Sequence, residues 1–539
     1  MVLLHHVLFF MYEGTKIMMN NQARTQSTLK NLSYVMVGQV LGIIVSIIAR
    51  IIFVRTLSAE YLGLDGLFTN IITVLSLVEL GIGPALVFSL YKPIAEKNIE
   101  LIKSLLKLYQ RAYLIIGSLI ILFGIIVAPF IHYLIKDMPD MPHIHFIFVL
   151  FVLNAAVTYF YSYKRSLIIA DQRKYIDATY RYGGFILLNI VQCTVLIIWK
   201  NFIFFVICQL IFNIVENILA SRTADKLYPF LKSKNVAPLN KEVIKGIYKN
   251  VKAMAMHRMG SVVVLSTDNI LISSFVGLLA VGLYSNYRLI LTALNIVLMQ
   301  FFEAAKSSVG NLSVLESKAR TREVFNKIYF MNFWLYGFAS VGILCNLNPL
   351  IELWLGKKFV FSMEIVLLII IHFFLEGMRR ASLTFRDAMG LYWYDRYKPV
   401  AEALINLAAS IILLKIMGIG GIFLGTILSI LTTGFWIEPY ILYKYGFKSS
   451  SKSYFIAYSK YLSSVVLAAS LSYGICALLP ETTFFILAAK IFISTAVTNL
   501  LFYFLFRKSD EFQYFRELTI EIIRKTVLKK RRLPDAKTF

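Results

Sequence analysis

The sequence predicts an all-α, polytopic membrane protein. It should have about fourteen transmembrane helices in two six-helix lobes related by an internal repeat, plus a C-terminal helix pair. Three observations carry that expectation. Hydrophobic residues make up 58% of the 539 and charged residues 16%, whereas a soluble domain is roughly 25% charged. Mean hydropathy is +0.71. The apolar residues also fall into continuous runs of roughly 20, the length one helix needs to cross a bilayer. A membrane β-barrel would instead show short alternating segments. The composition excludes a soluble enzyme, a disordered chain and a disulfide-rich secreted domain.

The opening MVLLHHVLFF is too short to span and lacks the leading charge and cleavage site of a signal peptide, so 1–28 is expected as an N-terminal cytoplasmic segment, with Met18 or Met19 as an alternative start. No role is assigned to His5 and His6. Six runs bounded by charge, Pro or Gly follow at 31–56, 61–90, 112–135, 144–163, 182–199 and 202–221, giving an N-lobe over 29–222. A basic linker occupies 223–250. Runs at 253–275, 279–304, 328–352, 362–378, 399–416 and 419–442 form a C-lobe over 251–443. Two more, 461–478 and 483–506, make the appended pair within 456–506, and 507–539 is a basic, partly helical cytoplasmic tail.

Orientation follows from charge. Lys and Arg total 55 against 30 Asp and Glu, a formal net charge of +25. With the N-terminus inside, about 45 basic residues fall on the cytoplasmic side and about 6 outside (Arg55, Lys136, Lys200, Lys357, Lys358, Lys415). Both termini are therefore expected in the cytoplasm. The charge marks cytoplasmic loops, with no nucleic acid implied, and the KKRR run of the tail suits anionic headgroups. Cys193, Cys208, Cys345 and Cys476 each sit inside an apolar run and form no CxxC pair, so they read as small core hydrophobes.

A shift of about 219 residues lays 48–73 over 266–292. Ile51 then meets Ile270, Gly63 meets Gly282, Leu64 meets Leu283 and Thr73 meets Thr292. Parallel halves of this kind are a transporter architecture with the substrate path between them. The chain has no GxxxxGK[ST], no HExxH and no GxSxG, and its outside loops are too short for a catalytic domain. No enzyme, catalytic residue or metal site is expected.

Polar residues inside spans are costly and should face a cavity. Gln39, Gly42, Ser46 and Arg50 share one face of the first span. Asp65, Thr69, Thr73, Ser76 and Glu79 do so on the second, Arg258, Ser261 and Asp268 on the seventh, and Ser285, Arg288, Thr292 and Asn295 on the eighth. These are matching positions of the two halves. Arg50, Arg258, Arg288, Gln39, Ser46, Thr69 and Asn295 are the candidate substrate-binding set. Glu79 with Arg258, and Arg50 with Asp268, are candidate gate or coupling pairs. Polar stripes also hydrogen-bond helices together, and arginines near helix ends snorkel to the interface. Arg288, far from either end, is least explained by those roles. Lys490 reads as a snorkelling lysine, and Glu216, Glu376, Glu402 and Glu438 as helix-packing groups. His257 and His372 read as interior histidines.

A cleft richer in arginine than in carboxylate suits an anionic substrate, since guanidinium pairs with phosphate in a fork. VELGIGPALVFSLYKPIAEKN (78–98) and STDNILISSFVGLLAVGLYSNYRLI (266–290) resemble the bacterial polysaccharide-biosynthesis (Wzx-like) oligosaccharide flippases of the multidrug/oligosaccharidyl-lipid/polysaccharide exporter superfamily. The resemblance covers about 29–506. It implies a V-shaped fourteen-helix fold in a bacterial cytoplasmic membrane. It also implies transfer of undecaprenyl-pyrophosphate-linked oligosaccharide units across that membrane for capsule, exopolysaccharide or O-antigen-like glycans, by alternating access. A polysaccharide polymerase and glycosyltransferases would be partners, and basic residues on helices 1, 2, 7 and 8 would hold the headgroup. The second span, with Asp65 and Glu79 and no mid-span arginine, departs from that pattern. No cofactor is expected beyond a coupling Na⁺ or H⁺. The alternatives are a lipid II or teichoic-precursor flippase, a multidrug cation antiporter of the same superfamily, and an integral-membrane glycosyltransferase or polymerase.

Overall fold

The computed structural model describes residues 22–531, apart from Leu80, 137–140, 234–235 and 480–482. Among the described residues there is no strand, and each of the fourteen runs is helical. Eleven helices among the described residues are long and apolar enough to cross a membrane. Their outward faces carry large hydrophobic residues such as Ile115, Ile126, Ile198 and Phe492. That is a surface built for acyl chains rather than water.

The first run is α1 (Gln22–Thr56). The second is interrupted: α2 (Ala59–Leu75) passes through a 3₁₀ turn at Ser76–Glu79 and resumes as α3 (Ile82–Ala95). Gly81 precedes α3 at φ 82°, a backbone conformation glycine adopts without a Cβ penalty. Pro84 lies in the first turn of α3, where its missing N–H costs nothing. The expected single helix over 61–90 is thus two. The reason is the GIGP sequence at 81–84, which ends one helix and begins another.

Then come α4 (Ile99–Val127), with a 3₁₀ extension over Ala128–Leu134, α5 (Ile144–Ala170), α6 (Lys174–Trp199) and α7 (Phe202–Leu227). α4 begins well before its apolar run, so most of the basic 92–111 stretch is helical. In the linker, the Ser104 hydroxyl of α4 donates to the Ala237 carbonyl at 2.7 Å. α8 (Lys241–Phe275) begins within that linker, capped by the Asn240 side chain.

The eighth run is the continuous α9 (Leu278–Leu315), followed by α10 (Lys318–Leu355). The tenth run gives α11 (Met363–Met378), only 16 residues long, and a separate α12 (Arg380–Ala388). α13 (Lys398–Met417), α14 (Ile419–Thr432) and α15 (Gly434–Ile441) follow, and α15 ends in a π-helical turn at Leu442–Phe447. α16 (Lys452–Ala477) and α17 (Phe484–Phe506) are the last spans, and α18 (Asp510–Arg531) forms the tail. The N-terminal segment 1–21 and the side chains of the KKRR run lie outside the described residues.

The described residues fall into two compact units. One holds 22–286 and 399–425, the other 287–398 and 426–531. In the first, α2 is the central helix. Leu64, Leu67 and Phe68 are fully buried, and Phe68 meets Phe148 and Phe151 edge-on at 5.0 and 5.5 Å. In the second, α10 is central. Phe325, Tyr329 and Phe333, one turn apart, form a buried ladder on which Tyr454 and Tyr461 stack at 4.6 and 4.3 Å. α18 closes this unit, with Phe512 stacked on Trp334 and Lys327 Nζ 4.0 Å above the Tyr514 ring.

Candidate functional site

In the first unit, α2 and the start of α9 cross at glycines. A Cβ on Gly63 would lie 2.0 Å from the Leu278 carbonyl oxygen, and one on Gly282 would lie 2.3 Å from that of Ala59. The approach therefore needs residues without side chains. The contact is reciprocal. The 219-residue offset that pairs Gly63 with Gly282 also pairs Ala59 with Leu278, so each glycine meets the residue four positions before its own repeat mate. Equivalent patches meeting each other is what a two-fold relation produces.

Beside this crossing, Arg50 Nη1 of α1 donates to Ser285 Oγ at 3.1 Å, and Ser285 Oγ donates to the Gly282 carbonyl at 2.8 Å. The carboxylate acting electrostatically on Arg50 is Asp65 of α2. Three of the four polar stripes thus meet at Arg50, Asp65 and Ser285. Asp268 is buried on α8, beside a buried Asn269.

The other stripe residues of this unit are less convergent. Ser46 donates to the Gly42 carbonyl of its own helix at 2.8 Å. Gly42 itself packs toward Phe185, as Gly38 does more tightly against the Tyr182 ring, so part of the α1 stripe faces α6. Gln39 is half-buried and makes no side-chain hydrogen bond among the described residues. Thr69 is exposed, and its carbonyl accepts from the Thr73 hydroxyl at 2.8 Å. Glu79 has a local role: its Oε1 accepts from the Gly83 backbone N–H at 3.2 Å. It sits at the N-terminus of α3, where the macrodipole favours a carboxylate. The Arg258 side chain lies outside the described residues.

In the second unit, Arg288 of α9 is half-buried and makes no hydrogen bond or ion pair among the described residues. It lies about 15 Å along the helix from Leu278, half the thickness of a bilayer core. Its neighbour Tyr287 is fully buried, donates to Asn348 Oδ1 at 2.6 Å and accepts from the Phe361 N–H at 2.7 Å. Those bonds fix the rotation of α9 at this level. Asn295 accepts from Tyr336 Oη at 3.2 Å.

Several other part-buried cations are ion-paired. Arg165 of α5 reaches Asp177 of α6 at 2.6 Å and Glu216 of α7 at 2.8 Å, and it donates to Asn217 at 3.2 Å. Lys164 pairs with Asp225 at 2.7 Å. In the second unit, Arg379 forks onto Glu438 at 2.6 and 3.1 Å and pairs with Glu376 at 2.8 Å. Lys398 joins Glu438, and Arg386 pairs with Asp387 and Asp395. Both clusters tie the ends of the fourth, fifth and sixth runs of their half. In sequence, Arg165, Arg379 and Lys398 stand among the basic residues between runs and read as loop charges. The available signal was Glu216 and Glu438, which recur at nearly the repeat's offset.

No protein-family model matches the chain, and no curated protein matches it. Solved structures do. The lipid II flippase MurJ in an inward closed conformation aligns at a TM-score of 0.61 and 14% identity, over 88% of this chain and 98% of that one. An inward-facing multidrug resistance MATE family transporter of the MOP superfamily aligns at 0.56 and 15%, over 76% and 97%. The Vibrio cholerae MATE transporter VcmN aligns at 0.54 and 14%, over 80% and 99%. The chain shares its all-helical fold with these solved transporters.

Proposed function

We propose that this protein is a flippase. It would carry polyprenyl-pyrophosphate-linked oligosaccharide units across a bacterial cytoplasmic membrane for surface polysaccharide synthesis, and it is not an enzyme. The observation that carries this reading is Arg288, a half-buried guanidinium ten residues into α9 with no carboxylate partner among the described residues. An arginine at the centre of a spanning helix costs about 2.5–3.5 kcal/mol by insertion scales. A phosphate forked onto it offsets the cost. Arg50, Arg258, Gln39, Ser46, Thr69 and Asn295 complete the proposed substrate path, with Arg288 as the phosphate anchor. Glu79 and Asp268 are proposed as gate or coupling residues. Alternating access would use the repeats 29–222 and 251–443, with Na⁺ or H⁺ as coupling ion, and with a polymerase and glycosyltransferases as partners.

Lipid II or a teichoic precursor is the second reading, favoured by the alignment to the lipid II flippase. It shares the lipid pyrophosphate or phosphate and differs in the sugar. A cation antiporter would want carboxylates where this chain has Arg288. The purified chain in proteoliposomes should translocate a polyprenyl-pyrophosphate-linked oligosaccharide. Tight, proton-sensitive binding of cationic dyes without lipid translocation would overturn the reading. Both ends are proposed to be cytoplasmic. Of cysteines placed at the exposed Ser58 and Ser233, only the first should then label with an impermeant thiol reagent added to intact cells.

A further inference from the structure

A second basic site lies in the second unit, away from Arg288. Where the chain leaves one span through the π-helical turn Leu442–Phe447 and enters α16, a pocket of about 550 Å³ opens. It is lined by Tyr440, Lys444, Lys448, Ser449, Ser450 and Ser451. Two ammonium groups, three consecutive serines and a tyrosine make a lining with no carboxylate. Lys448 stands in the left-handed conformation at φ 53°, and its ammonium group neighbours that of Lys318 at the start of α10, a like-charge contact. Lys444 Nζ donates to Tyr440 Oη at 2.8 Å and lies over the Tyr440 and Tyr445 rings. Among the described residues, neither Lys318, Lys444, Lys448 nor Lys452 forms an ion pair. Ser449 Oγ is buried without a hydrogen-bond partner.

Like charges gathered without counter-ions repel, and a buried hydroxyl without a partner is destabilising. One anion with several oxygens resolves both. The surroundings indicate where it comes from. Trp436, Tyr440 and Tyr445 are exposed on this face, as in the aromatic belt at a membrane–water interface. We infer that the pocket binds the phosphate headgroup of an anionic phospholipid, with Lys444, Lys448 and Lys318 around the phosphate and Ser449–Ser451 as hydroxyl partners. The bound lipid would tie the turn before α16 to the start of α10.

The test measures thermal unfolding of the purified full-length protein in detergent as phosphatidylglycerol, phosphatidylcholine or inorganic phosphate is titrated in. Phosphatidylglycerol should raise the midpoint, and the other two should not. In the double variant Lys444→Gln, Lys448→Gln the apparent affinity for phosphatidylglycerol should fall about tenfold or more. The charge-matched control Lys460→Gln, Lys508→Gln, at exposed sites elsewhere, should keep the wild-type titration. A Lys444/Lys448 variant that titrates like wild type overturns the site. An equal shift with inorganic phosphate overturns the lipid as its occupant.

Discussion

Two sets of buried arginines in this molecule differ in what surrounds them. Arg165 is held by Asp177 and Glu216 from two further runs of its half, and Arg379 by Glu376 of its own run and Glu438 of another. Arg288 is half-buried ten residues into α9, with no carboxylate partner among the described residues. The first arrangement is self-contained. Burying its charges costs several kcal/mol, and the pairing repays most of that, so it adds modest net stability but is expensive to break. The second leaves its guanidinium free of any hydrogen bond or ion pair among the described residues. Arg50 is intermediate, bonded to Ser285 and attracted by Asp65. The difference separates charges that hold helices together from the one proposed to hold the substrate phosphate.

That contrast is broken most sharply at Glu438. Glu438→Ala leaves Arg379 and Lys398 buried without their shared carboxylate, and should destabilise the protein by about 3–5 kcal/mol. The readout is thermal unfolding and yield in the membrane. Next come the crossing glycines. Gly63→Ala and Gly282→Ala each drive a methyl into a backbone carbonyl and should each cost about 3 kcal/mol, the upper end of overpacking. Near-equal losses would sharpen the two-fold relation, and a harmless change at one site would break it. A smaller loss, about 1.5 kcal/mol, is expected for Arg165→Lys, because a lysine keeps the charge but cannot span Asp177 and Glu216 together.

Much of this was legible in the sequence. All fourteen runs became helices, because a bilayer demands continuous apolar stretches and little else competes. Three of them escape a test of length and hydropathy, for local reasons. The second is cut at Gly81, the tenth stops after 16 residues, and the seventh passes through side chains outside the described residues. The Gly63–Gly282 match was visible as an alignment, and the close approach supplies its physical cause. Less visible was what each polar residue touches. Helical periodicity puts Gly42 and Ser46 on the face of Arg50, yet Gly42 meets α6 and Ser46 bonds its own helix. Glu79 shares a face with Asp65 on an unbroken helix, but the break turns it into a cap for α3. Lys398 reads as a loop charge because its partner Glu438 is 40 residues away in sequence.

The smallest expected effect on stability is the most informative. Arg288→Ala removes a side chain with no partner among the described residues, so thermal unfolding should stay within about 0.5 kcal/mol of wild type. Surface glycan export should be lost at unchanged membrane level, and Arg288→Lys should restore only part of it, since a point charge replaces the fork. Export and stability measured side by side on Arg288→Ala test the account most directly. A stable protein that no longer exports is the predicted result. Full export, or a loss of stability matching that of Glu438→Ala, would contradict it.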